Sequence, residues 1–136
     1  MGKHIVSKVS DFPPGERKIV EFENRSIGVF NVRGEYFALR NVCPHQGAPL
    51  CIGPVRGTMD AETPHRIQYV KDGEIIVCPW HCWEFDILTG RSVFNPHRTR
   101  VRAYKVTVER PEEMEEDPSV ETFRVTVEDD LVVLHV

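Results

Sequence analysis

No stretch of this 136-residue chain sustains a helical period; apolar side chains recur instead at every second position. KIVEF, SIGVFNV, YFALRNV, RIQYV, EIIVC, RAYKVTVE, ETFRVTVE and LVVLHV are short runs rich in Val, Ile, Phe and Tyr, which pack well on a pleated surface. Tyr104, Val106 and Val108 alternate with Ala103, Lys105, Thr107 and Glu109, the mark of a strand with one buried face. Arg33-Gly34, Asp72-Gly73 and Asp129-Asp130 stand between runs as turn signals, and Pro13-Pro14-Gly15 blocks a helix near the start. The pattern predicts an all-β fold, an antiparallel sandwich or small barrel. Residues 52–64 and 110–119 break the rhythm and read as loops, the second acidic and bounded by Pro111 and Pro118.

The length suits one domain, residues 1–136, and is too short for two comfortable cores. A net charge of −4 disfavours non-specific nucleic-acid binding, which needs a basic field. No apolar run has the length of a membrane span. MGKHIVSKVSDFPPGER has no apolar signal core, and MGKHIV lacks the Ser or Thr expected for myristoylation. The expectation is a soluble cytoplasmic protein without nucleic-acid or membrane partners. In that compartment four cysteines point to metal or redox chemistry before disulfides.

Two stretches concentrate the metal-binding side chains. NVCPHQGAPLC holds Cys43 and His45; IVCPWHCWEFD holds Cys78 and His81. Structural zinc sites usually space paired cysteines by two residues or more, because both side chains converge on one ion. One intervening residue, as between Cys43 and His45, meets that demand only with a bent loop. Two adjacent metals suit C-x-H…C-x2-H better than one. Zinc in a structural β-domain remains the alternative at this point.

CPHQGAPL and CPWHCWEFDILTG resemble the two cluster-binding loops of Rieske [2Fe–2S] proteins, in which two His replace two Cys on one iron. The resemblance is strongest over residues 41–98, which it marks as a cluster-binding subdomain inserted in an all-β fold. It implies that Cys43 and Cys78 hold the buried iron, and that His45 and His81 hold the outer, electron-accepting one. The 32 residues between His45 and Cys78 exceed the usual interval, and the excess is assigned to residues 52–74. High-potential members carry Ser and Tyr hydroxyls in the second loop that bond to sulfur. Trp83 and Phe85 stand in those places here, so the resemblance implies a potential near the low end of the range of about −150 to +300 mV.

The function implied is that of a Rieske ferredoxin, a one-electron carrier between a flavin-dependent reductase and a terminal oxygenase. It is not itself a catalyst, since no sequence remains for an oxygenase domain with its own iron site. The alternative of another class is a small subunit or accessory domain of a larger reductase, resembling that of nitrite reductase.

The loop-tying disulfide of the respiratory type has no counterpart, because Trp80 and Ala48 replace its cysteines. Cys51 and Cys82 read as small buried thiols, with a Cys51–Cys82 bridge as the alternative. His4, His65, His97 and His135 carry no ligand spacing and read as surface or loop residues. Gly47 and Gly90 read as backbone needs, and Trp80 and Trp83 as shields for the cluster or large core residues. Residues 91–105 hold five basic side chains and no acid, while 109–121 hold seven acids and one Arg; the asymmetry would steer a redox partner, or be a solvated face.

Overall fold

A computed structural model describes residues 2–44, 47–63, 66–80, 82–94, 99–110 and 130–136. Among these residues there is no α-helix. Nine strands follow one another: β1 (Lys3–Lys8), β2 (Arg17–Phe22), β3 (Arg25–Val32), β4 (Glu35–Arg40), β5 (Val55–Thr63), β6 (Arg66–Val77), β7 (Glu84–Asp86), β8 (Ala103–Glu109) and β9 (Leu131–His135). Six form one antiparallel sheet in the order β1-β9-β8-β4-β3-β2; three form a second in the order β5-β6-β7. The first sheet nearly closes into a barrel. His4 on one edge strand stacks on Phe22 of the other, with ring centroids 4.9 Å apart.

Tight turns set the register of the central strands. Glu23-Asn24 and Arg33-Gly34 both have positive φ at their two central residues, and these turns join β2 to β3 and β3 to β4. Such turns match the natural twist of paired strands. Strand β3 is buried along both faces, which explains its unbroken apolar run. Ile27 and Val29 face the barrel core with Phe12, Ala38, Val132 and Leu134. Phe30 and Val32 face the opposite way, into a second core shared with Leu50, Ile76, Cys43 and Cys78. Strand β4 splits likewise: Ala38 goes to the barrel and Leu39 to the second core. Two adjacent strands thus serve as the common wall between the barrel and the three-stranded unit.

The structure corrects the expectation for residues 52–64. As far as residue 63 they are not a loop: after a short 3-10 turn at Leu50–Ile52 the chain forms β5, antiparallel to β6. Nor is Asp72-Gly73 a hairpin turn. It lies inside β6, where Arg56 pairs with Ile75 but Thr58 pairs with Val70, so the extra residues bulge out. Lys71 and Gly73 take positive φ in that bulge. Arg33 holds it down, with hydrogen bonds to the Glu74 carboxylate at 2.9 Å and to the Asp72 carbonyl. The expected run 121–128 and most of the acidic connection 110–119 lie outside the described residues.

Candidate metal centre

Cys43 and Cys78 leave the ends of two different strands, β4 and β6, and arrive in the same core cluster. Each is 1% exposed. The two loops that carry them repeat one backbone design. The Cys43 N–H donates to Ala48 O (2.8 Å) while its carbonyl accepts from Gly47 N (2.8 Å). The Cys78 N–H donates to Trp83 O (2.8 Å) while its carbonyl accepts from Cys82 N (2.9 Å). Gly47 and Cys82, each four residues beyond the leading cysteine, both take positive φ, 75° and 59°. Both loops therefore fold back at the same point and bury their first cysteine.

The loops are also fastened to each other. Gly53, just beyond the first loop, passes so close to β6 that a Cβ there would lie 1.8 Å from Val77 O. The Val77 N–H, immediately before Cys78, donates to Pro54 O at 3.0 Å. Arg17 from β2 reaches across to donate through Nη1 to Cys51 O (3.0 Å) and to Gly53 O. Asn41 Oδ1 accepts from Cys51 N at 2.7 Å, and Asn41 Nδ2 donates to Ser26 Oγ at 3.1 Å. The Leu50–Ile52 turn is thus bolted to the barrel wall from two sides.

None of the four cysteines is in a disulfide, so the Cys51–Cys82 bridge is not formed. Cys51 is fully buried; its Sγ donates to Leu39 O at 3.5 Å, and burial pushes its pKa up to about 12. It lies against Gly28, where a Cβ would meet the Cys51 Cβ at 2.5 Å. Cys82 departs from expectation: it is exposed, not buried. Trp83 packs against the core around Cys43 and Cys78, whereas Trp80 is 57% exposed. Phe85 is fully buried in β7. Gly90 has φ +78° and accommodates Val101 O, as its expected backbone role requires.

His45, His81, His65 and His97 lie outside the described residues. Among the described residues no three metal-binding side chains gather in one place. His4 and His135 sit half-buried on strands; His135 Nε2 lies 2.7 Å from Thr107 Oγ1. Arg17, Asn41, Gly28 and Gly53 escaped the sequence reading. Their partners are backbone atoms or side chains ten or more residues away, and no local pattern marks them.

The donors present fit an iron–sulfur cluster. Two cysteines outside any disulfide meet in an apolar core at the mouths of matching loops, and each loop continues within three residues to a histidine. Sulfur donors sit on the sheltered side of such a centre and nitrogen donors on the outer side.

Residues 2–105 match the Rieske [2Fe-2S] domain family. The ferredoxin component of naphthalene 1,2-dioxygenase/salicylate 5-hydroxylase systems from Ralstonia sp is 27% identical over 74% of this chain and 82% of its own length. The solved Sphingomonas yanoikuyae B1 ferredoxin is 33% identical over 79% of this chain and 91% of its own, with a TM-score of 0.58. A chain in an oxygenase–ferredoxin complex of carbazole 1,9a-dioxygenase matches 97% of this chain at 16% identity and TM-score 0.60. This chain spans only 27% of that one, and the likeness there is one of fold. The chain belongs to the Rieske [2Fe-2S] domain family, with a Rieske-type cluster as its cofactor, and is a ferredoxin-type electron carrier that is not catalytic alone.

Proposed function

We propose that this chain is the ferredoxin of an oxygenase system, passing electrons singly from a flavin-dependent reductase to a terminal oxygenase in the cytoplasm. The observation that carries the reading is the pair of matching loops, each presenting a buried cysteine. Residues 41–98 form the cluster-binding subdomain of a single domain spanning 1–136. Cys43 and Cys78 hold the inner iron; His45 and His81 hold the outer one. When bound, the cluster accepts and returns one electron. The chain's own part is to hold it: Gly47 and Cys82 turn the two loops back, and Gly53 and Arg17 fix one against the other. Trp83 packs against the core beside both cysteines and helps keep water from their sulfurs.

The cytoplasmic setting agrees with four cysteines that form no disulfide. The low potential is part of the same proposal. Trp83 and Phe85 bring no hydroxyl to the second loop, and hydrogen bonds to sulfur favour the reduced state. A redox titration of the holo-protein, followed in the visible spectrum, tests it. The expected midpoint lies near the low end of the family range, about −150 mV. A midpoint well above zero at neutral pH contradicts it.

A further inference from the structure

Beside the second loop runs a groove that shares Cys82 and Trp83 with the cluster-holding loop and extends well beyond it. One wall is the β5–β6 hairpin and the other is the Cys82–Glu84 stretch with Val93 and Phe94. The central part is a cavity of about 530 Å³ reaching from Thr58 and Met59 to Cys82 and Phe94. It continues past Thr58 and Met59 toward Arg56 and Tyr69 in one direction. In the other it continues past Ser92 and Val93 toward Lys71 and Arg91. The cluster loop thus opens directly onto it at Cys82, the residue after His81.

Three properties mark the groove as a surface made to be covered. It is open, and large apolar side chains stand in it: Phe94 is 95% exposed, Met59 59% and Tyr69 54%. Single exposed apolar residues need no explanation, but a contiguous set lining one groove does. It is stiff. Met59 and Tyr69 are cross-strand partners, and Tyr69 Oη is held by Gly57 N (2.6 Å) and by Asp72 Oδ1 (2.9 Å). Gly57 at this point allows the bulged strand to pass within reach of Val70 O.

Its rim is also basic on a chain whose net charge is −4. Arg91 and Arg100 face each other across an isolated bridge, an arrangement of like charges that costs stability. Among the described residues neither makes an ion pair, and both are exposed. Arg56 adds a third exposed cation. Lys71 is offset by Asp86 at 3.1 Å, and Glu84 is the acid left in the wall. The excess along the groove is positive, whereas the molecule as a whole is negative.

We propose that this groove is the docking site for the terminal oxygenase, which seats an apolar side chain between Met59 and Phe94 and sets carboxylates against Arg56, Arg91 and Arg100. The proposal rests on the carrier reading above and deepens it by naming the surface and the chemistry of the partner's face. The elongated hairpin is then a recognition arm, which selects the partner without touching the cluster. Complementary charge raises the encounter rate and sets register, and the apolar contact lowers the dissociation rate.

The test is stopped-flow oxidation of the reduced holo-protein by the oxygenase component of the Ralstonia dioxygenase system named above. Each rate is divided by the rate with a neutral quinone. That ratio removes any change in the cluster itself. Met59→Glu and Arg91→Glu are expected to lower the ratio at least tenfold at low salt, Arg91→Glu with a flattened salt dependence. Arg91→Lys is expected to stay within about threefold of wild type. If Met59→Glu fails to load the cluster, the exposed Arg91→Glu decides. Ratios within twofold of wild type for Arg91→Glu overturn the groove and leave the carrier reading standing. A wild-type protein that the quinone oxidises and this oxygenase does not overturns the groove as its docking site and leaves the carrier reading standing; a loaded protein that neither oxidises overturns the carrier reading.

Discussion

Gly47 and Cys82 hold the same position in two copies of one turn. Each lies four residues past a buried cysteine, each donates its N–H to that cysteine's carbonyl, and each has positive φ. Glycine adopts that conformation freely, whereas a side chain there costs about 1–2 kcal/mol. Among the described residues nothing lies within 4 Å of a Cβ at Gly47, so Gly47→Ala should destabilise by about that backbone cost. Cys82→Gly should do the reverse, by about 0.5–1 kcal/mol after the added chain entropy of glycine. Thermal melting of the holo-proteins checks both, with shifts of a few degrees in opposite directions. A Cys82→Gly protein that melts below wild type contradicts the equivalence of the two turns.

Gly28 and Cys51 form a steric pair across the wall between the two cores. A Cβ at Gly28 would sit 2.5 Å from the Cys51 Cβ and 2.6 Å from its Sγ. Gly28→Ala should therefore cost about 1–3 kcal/mol by overpacking. Cys51→Ala removes the Sγ contact but keeps the Cβ one and should recover only part of the loss, whereas Cys51→Gly removes both and should recover more. A double-mutant cycle by denaturant melting gives the answer. Equal rescue by Ala and Gly would show that the contact is not the one described.

Arg17 is the longest-range fastening of the first loop. Its guanidinium satisfies the carbonyls of Cys51 and Gly53, and charged hydrogen bonds of this kind are worth about 1.5–3 kcal/mol. Arg17→Met should lower stability by about that amount and speed cluster release to a chelator several-fold. Arg17→Lys should fall between the two. Loss of stability with an unchanged release rate would mean that Arg17 supports the barrel and not the loop.

Burial raises the Cys51 pKa from an ordinary 9.0 to about 12. Between those values the unfolded chain releases a proton that the folded chain keeps. Stability should therefore fall as pH rises from 9 toward 12, by at most about 1.4 kcal/mol per unit. Below pH 9 this thiol contributes no pH dependence. Native alkylation followed by mass spectrometry offers a second check. Exposed Cys82 should be labelled at pH 8 and Cys51 spared; labelling of Cys51 at the same rate would contradict its burial.

The strands that pack a face were legible in the sequence. Alternation revealed β8, and the unbroken apolar run of β3 follows from its burial between two cores. The β5 strand was not legible, because VRGTMDAET offers little apolar periodicity and a glycine in its middle. It exists because β6 supplies its hydrogen-bond partners. The bulge at Asp72-Gly73 mimicked a hairpin turn because both demand positive φ. Cys43 and Cys78 announced themselves by residue type and spacing. The supports at Arg17, Asn41, Gly28 and Gly53 did not, since each acts on atoms brought near only by the fold. The exposure of Cys82 was also hidden, because a turn shared with Gly47 shows only in the backbone.

The proposed centre is a pair of irons held by the sulfurs of Cys43 and Cys78 and the nitrogens of His45 and His81. Pulsed EPR of the anaerobically reduced protein, grown with and without 15N-histidine, tests it most directly. The expected result is a rhombic signal with an average g below that of the free electron, and nitrogen couplings from two histidines that change with the label. A spectrum without that signal, or one indifferent to the label, would contradict it.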